Sequence, residues 1–251
     1  MLNIKDKKSL LRDVKMFIAK LKRKWERKHW NVNSPNFEKK LHEAMKFYLL
    51  AAKLKYRIRT GWDDKHWNIK GDPERIAEHV YGAAILAISL DSEFDLKIDL
   101  GKVLKMIAIH EIGEVKIGDI TPFDNITPEE KEAMEHQAMA DVLGDLCKKD
   151  EMYALLMEFD AHETREARFA YFCDKMEADI QAKVYQDMGR QHDLDDQANN
   201  VVFNNPKAQQ MVKDGAKTAW DIWYLWDKPR YKDSPLFQKV LEYVNSHNTD
   251  I

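Results

Sequence analysis

The sequence predicts an all-α fold, one helical bundle with extra helices at both ends, and three observations carry that prediction. Of 251 residues only 9 are glycine and 7 are proline, while 33% are charged with a net charge of -3. That mixture suits helices rather than a turn-rich β protein. Apolar residues recur at three- and four-residue spacing through most of the chain. Several of these stretches open with a hydroxyl or acidic residue followed by proline, a helix-start signal.

Taken in order, Leu10, Leu11, Val14, Phe17, Ile18, Leu21 and Trp25 predict an amphipathic helix docked on the body. It lies in a basic region: residues 1–40 hold 13 Lys/Arg against 4 Asp/Glu. Phe37, Leu41, Ala44, Met45, Tyr48, Leu49, Ala52 and Leu54 predict a second helix over 37–58, and Gly61, Gly71 and Pro73 a loop over 59–73. Asp72-Pro73 opens a helix over about 73–90, and another is expected over about 99–112 until Gly113 and Gly118 interrupt it. Thr127-Pro128-Glu129-Glu130 combines a cap, a proline and acids at the positive end of the dipole, predicting a helix to about 148. Further helices are expected over 150–160, 164–188, 206–226 and 234–247. Residues 189–205 form a polar insertion that lacks the glycine and terminal glutamate of a calcium loop, and so read as a solvated loop.

Composition also narrows the functional classes. Two cysteines, Cys147 and Cys173, are too few for a disulfide framework and have no metal-type spacing, which points to a reducing cytoplasm. No stretch approaches the roughly 18 apolar residues of a membrane span, so a soluble protein is expected. The basic N-terminal region has no nucleic-acid module beside it, and no nucleic-acid partner is expected. Trp220, Trp223 and Trp226 recur every three residues and read as a core or dimer face rather than a base-stacking surface.

The most informative residues are His110 and Glu111, adjacent at the end of an apolar run and followed by Gly113, Glu114, Gly118 and Asp119. Upstream lies His79 and downstream Asp174. Two imidazoles and two carboxylates offer mixed nitrogen and oxygen ligands to a divalent transition metal, which can generate a water nucleophile near neutral pH. A shared cation requires the two imidazoles to approach within about 6 Å on one side. The remaining histidines, His29, His42, His66, His136, His162, His192 and His247, read as structural.

The order His, adjacent His-acid, distant Asp resembles the HD-domain superfamily of metal-dependent phosphohydrolases. Arg59-Thr60-Gly61-Trp62, Pro73-Glu74-Arg75-Ile76-Ala77-Glu78-His79, Ile109-His110-Glu111-Ile112-Gly113-Glu114 with Gly118-Asp119-Ile120, and Cys173-Asp174-Lys175-Met176-Glu177 are similar to the 5'-deoxynucleotidase branch. The similarity spans about residues 40–188, leaving 1–39 as a basic helical extension and 189–251 as a C-terminal loop and helices of one domain.

The resemblance implies one metal (Mn, Co, Fe, Ni or Zn) on His79, His110, Glu111 and Asp174, with Glu114 and Asp119 acting beside it. It implies Arg59 at the substrate phosphate, with Arg57 close enough to exchange roles, Trp62 against sugar or base, and a homodimer. The implied reaction is release of phosphate from (deoxy)nucleoside 5'-monophosphates by metal-activated water. Three other readings stand beside it: a nucleoside triphosphate hydrolase, a hydrolase of a cyclic nucleotide or another phosphorylated metabolite, and a metal- and nucleotide-binding sensor without turnover. One departure bears on the choice, because the family's His-Asp is His-Glu here, one methylene longer.

Overall fold

The computed structural model describes residues 14–16, 18–20, 32–121, 123–124 and 126–249. The described elements are all helical, as predicted, and Ile58 and Arg75 form an isolated antiparallel bridge. The chain forms two compact units, Met1–Met45 and Lys46–Ile251. In the first, residues 14–16 and 18–20 are helical, with Val14 and Ile18 exposed. The other residues of that predicted apolar face, Leu10, Leu11, Phe17, Leu21 and Trp25, lie outside the described residues.

The helices are α1 (Phe37–Ala51), α2 (Ile76–Phe94), α3 (Leu100–Ile109), α4 (Glu114–Ile117), α5 (Pro128–Leu143), α6 (Lys149–Ala161), α7 (Arg165–Asp187), α8 (Pro206–Lys213), α9 (Ala219–Asp227) and α10 (Pro235–Ser246). Their ends follow from capping chemistry. Thr127 and Glu130 form the reciprocal capping box that opens α5, Asp99 accepts from Lys102 N–H at the start of α3, and Thr164 caps α7 through Ala167 N–H. Such caps contribute about 1 kcal/mol each.

Helices α2, α3 and α7 pack on one another and form the centre, with α6, α9 and α10 also against α7. Ala83, Ala87, Val103, Met106, Ile107, Ala167, Ala170, Cys173 and Met176 are fully buried there. Small residues on α2 and α7 let these helices approach closely, so both can aim polar side chains at one point.

Several boundaries differ from the sequence reading. Helix α2 starts at Ile76, not Pro73, because Glu74 turns inward and Arg75 is extended, bonding across to Arg57 and Arg59 through the chain on either side. Helix α3 ends at Ile109, and three-residue turns carry the chain through 110–113 into α4. The stretch 206–226 is two helices, broken at Asp214–Thr218 where Gly215 has a φ of +113°. Within 189–205 the acids Asp193, Asp195 and Asp196 are exposed as expected, but Gln191, Gln197, Asn200 and Val202 are buried. Their amides bond one another and the backbone, which is what lets a polar loop be packed rather than solvated.

Candidate metal centre and its cavity

Four side chains converge where α2, the end of α3 and α7 meet. His79 sits on the buried face of α2, His110 is the residue that closes α3, Glu111 follows in the turn, and Asp174 lies midway along α7. Each offers a ligand atom, and these atoms all lie within 4.8 Å of one another. Asp174 Oδ1 is 2.7 Å from His79 Nε2 and 3.3 Å from His110 Nε2. Glu111 Oε1 is 3.7 Å from His79 Nε2 and 3.4 Å from His110 Nε2. The longer arm of glutamate therefore still reaches the point that both imidazoles face. The ring centres are 6.4 Å apart, slightly beyond the expected limit, but the coordinating nitrogens turn toward each other and satisfy it.

The donor set fits a divalent transition metal on an observation of its own. His110 Nε2 is buried with no hydrogen-bond partner, while its Nδ1 is engaged by the Ile107 carbonyl at 2.8 Å. The bonded nitrogen fixes the ring and leaves the other aimed into the cluster, as a metal-ligating histidine requires. His79 is held the same way by Glu177 on its Nδ1. Glu177 in turn lies against Gly82, where a Cβ would come within 2.4 Å of its Oε1. Glu74, His79 and Glu177 thus form a second cluster behind the first.

Electrostatics at this point are dominated by burial and by the density of carboxylates. For His110, burial opposes the charged form, but Glu111 and Asp174 outweigh it and raise the imidazole to about 10. For His79, burial and Arg59 oppose charge, and the bonds to Asp174 and Glu177 still raise it to about 9. Glu111 and Asp174 are lowered despite burial, by His110 and Arg59 in the first case and by Lys175 and His110 in the second. Glu114 moves the other way: burial, then the negative charges of Glu111 and Asp119, push it well up. Glu74 rises to about 7 through burial and the charge of Glu177.

The remaining predicted residues surround this cluster. Arg59 Nη1 donates to Glu111 Oε1 at 2.9 Å. Asp119 is fixed at the same turn, its Oδ2 accepting from Thr60 N–H at 2.8 Å. That contact depends on Gly118, whose φ of +85° swings the chain back after α4. Arg57 instead donates to the Val115 carbonyl and so supports α4. Trp62 is buried, donates through Nε1 to Glu74 at 3.0 Å, and stacks on Trp223.

Arg59, Trp62, His110, Glu111, Glu114, Asp119 and Asp174 all line one cavity of about 490 Å³, a size ordinary for small-molecule sites. It also takes in residues that sequence reasoning did not assign to a site: Lys175, Asp179, Trp223, Trp226 and Asp227. The signal for Lys175 and Glu177 is their place in Cys173-Asp174-Lys175-Met176-Glu177, one and three residues after Asp174. Trp220, by contrast, is buried in the core and bonds Asn245, so the three tryptophans do not share a face.

A buried cluster of His, Glu and Asp at one end of a cavity in a helical bundle defines a class: all-α hydrolases that work with a divalent metal. The chain belongs to the HD-domain family, whose match covers residues 51–216. It is 30% identical over 176 residues to the human protein 5'-deoxynucleotidase HDDC2, covering 68% of this chain and 83% of that one. The Dictyostelium discoideum protein of the same name is 32% identical over 149 residues, 57% of this chain and 77% of the relative. Among solved structures, PH0347 from Pyrococcus horikoshii matches with a TM-score of 0.57 at 23% identity, over 80% of this chain and 96% of its own. A protein from Magnetospirillum magnetotacticum, described as a predicted metal-dependent phosphohydrolase, matches with a TM-score of 0.55 at 24% identity, over 82% and 93%. The protein is an HD-domain phosphohydrolase of the branch that holds the 5'-deoxynucleotidases.

Proposed function

We propose that the protein hydrolyses 2'-deoxynucleoside 5'-monophosphates to nucleoside and phosphate, with one divalent transition metal (Mn, Co, Fe, Ni or Zn) held by His79, His110, Glu111 and Asp174. The observation that carries this reading is the convergence of those four donors at one end of the cavity, beside a guanidinium. The substrate class follows the printed activity of the relatives.

Bound there, the metal supplies Lewis acidity toward the phosphoryl oxygens and a water nucleophile near neutral pH. Arg59 has one nitrogen committed to Glu111, and the rest of its planar fork serves the phosphate. The same ion pair keeps the guanidinium aimed when the site is empty of substrate. Glu114 keeps its proton because burial and the charges of Glu111 and Asp119 oppose ionisation, and so can deliver it to the departing 5'-oxygen. Asp119, fixed by Thr60, is the second carboxyl placed to take up or return a proton. Trp62 packs against the sugar.

A screen of nucleoside mono- and triphosphates with Mn²⁺, Co²⁺ and Mg²⁺, resolving products by chromatography, tests the proposal. Nucleoside and phosphate are expected. Release of triphosphate or pyrophosphate would move the protein to the triphosphohydrolases, and binding without turnover would make it a sensor. At saturating metal, Glu114→Gln should lower turnover by about 10²- to 10⁴-fold, the usual worth of a positioned proton donor; an unchanged rate removes Glu114 from the mechanism.

We further place the protein in the cytoplasm as a homodimer. Its two cysteines are unpaired, and no helix among the described residues is long and apolar enough to cross a membrane. The exposed residues Tyr81, Ile85 and Ile88 on α2 suit an interface better than the tryptophans of α9, and light scattering reads the oligomeric state.

A further inference from the structure

The cavity has two chemically different ends. Away from the histidines its wall is Phe123, Trp223 and Trp226, the last two from α9, which lies beyond the HD-domain match at residues 51–216. Phe123 and Trp226 rings stand 5.8 Å apart between centres, and Lys207 covers Trp226 at 4.0 Å from its centroid. Trp62 and Trp220 each satisfy their indole N–H, through Glu74 and Asn245. Trp223 does not: its Nε1 is buried with no hydrogen-bond partner. Trp223 lines the cavity, and although this nitrogen has almost no accessible surface of its own, a turn of the ring brings the unpaired donor to a ligand acceptor.

Next to these rings stands a carboxyl pair, Asp179 and Asp227, both buried. Tyr231 O–H donates to Asp179 Oδ2 at 2.5 Å, and Arg230 pairs with Asp227 at 2.7 Å. Burial and the neighbouring Asp227 push Asp179 well above the usual carboxyl range, and Asp227 is paired with Arg230. This wall combines aromatic rings with hydrogen-bonding groups, and Lys207 lies over its Trp226 ring. Flat aromatic faces with hydrogen-bonding groups beside them suit a heterocycle.

We propose that the α9 end of the cavity is a nucleobase subsite, in which the base packs against Phe123 and Trp226 and accepts a hydrogen bond from Trp223 Nε1–H. The inference rests on the nucleotidase reading above and adds to it that recognition of the base comes from a segment this chain carries outside the matched family region.

The test compares the four 2'-deoxynucleoside 5'-monophosphates with 2-deoxyribose 5-phosphate, which lacks a base, on the metal-loaded protein. Wild type should prefer the nucleotides in kcat/KM by at least about 10-fold, the low end for stacking on an aromatic side chain. Trp226→Leu should erase most of that preference, and Trp223→Phe, which keeps a ring and loses the N–H, should reduce it about 5- to 10-fold. Both variants should act on deoxyribose 5-phosphate within about two-fold of wild type. Equal losses on both substrate types, or no loss on nucleotides, overturn the subsite and leave these rings as scaffold. Calorimetric binding of deoxyadenosine, which has no phosphate, separates the two proposals. Nucleoside binding that Trp226→Leu weakens, in a protein that hydrolyses no monophosphate, keeps the subsite and sinks the nucleotidase reading. Hydrolysis with no preference for a base does the reverse.

Discussion

The two ends of the cavity are built on opposite plans. At the histidine end the groups are charged and interlocked, Asp174 with His79, His110 and Lys175, Glu111 with Arg59, and His79 with Glu177, while His110 Nε2 and Glu114 Oε2 are buried without a hydrogen-bond partner. At the α9 end the groups are rings in van der Waals contact and one carboxyl pair. Buried charges that must point at a single atom need rigid partners, because leaving one unpaired costs several kcal/mol. Aromatic contacts tolerate displacement and tune affinity by small steps. Mutations at the first end should therefore be severe and strongly coupled, and those at the second mild and nearly additive.

The largest effect is expected at Asp174. Its Oδ1 lies between both imidazoles and its Oδ2 faces Lys175 at 2.8 Å. With Asp174 as one of the proposed metal ligands, Asp174→Asn would remove a ligand charge and leave Lys175 without its partner, so turnover should fall roughly 10³-fold or more, in step with lost metal polarisation. Metal content by elemental analysis and turnover at saturating metal read the two parts separately. A variant that keeps wild-type turnover would show that the cluster at this end is not the catalytic centre.

This asymmetry also explains what could be read from the sequence. His79, His110, Glu111 and Asp174 stood out because adjacent imidazole and carboxylate at a helix end, with glycines after them, are rarely explained by packing. The α9 wall gave no such signal. Trp223 and Trp226 at a spacing of three fit a buried helix face as well as a cavity lining, and only the break at Asp214–Thr218 sets α9 so that Trp220 faces the core. Gln191, Gln197 and Asn200 looked solvated because composition cannot show that amides will satisfy one another inside. Helix existence was legible from periodicity, whereas the ends at Ile76 and Ile109 were set by tertiary contacts of Glu74 and of the metal-site turn.

An intermediate effect sharpens the comparison from behind the histidine end. Gly82 lies one turn after His79 on α2, and a Cβ there would meet Glu177 Oε1 at 2.4 Å and Cδ and Cγ at 2.9 Å. Gly82→Ala should push that carboxylate off His79 Nδ1 and weaken metal binding about 10- to 100-fold, the usual worth of a ligand's supporting bond. In the helix itself alanine is favoured over glycine by about 1 kcal/mol. Chelator competition for the metal should show the loss while thermal stability of the chelated protein holds or rises. Because both act through one carboxylate, Gly82→Ala should add little to Glu177→Ala. Independent, additive losses would show that Gly82 serves helix packing and not His79.

The smallest effect is expected at the carboxyl pair of the α9 end, and its sign is informative. Asp179 is raised above its ordinary value, first by burial and then by Asp227. A carboxyl with a higher pKa in the folded than in the unfolded chain holds its proton better when folded, so its favourable contribution is complete below the ordinary value near 4 and is lost as pH rises toward the folded value. Asn reproduces the neutral carboxyl at every pH: its oxygen can still accept from Tyr231, and its amide can donate toward Asp227 in place of the acid proton. Asp179→Asn should therefore match wild type in stability near pH 3.5 and exceed it at pH 7.5 by about 1 kcal/mol, or roughly 2–4 °C in Tm for a unit of this size. Paired urea melts at the two pH values measure the difference. A gap that stays constant with pH would mean that Asp179 titrates alike in the folded and the unfolded chain, and the upward push from burial and Asp227 would lose its basis.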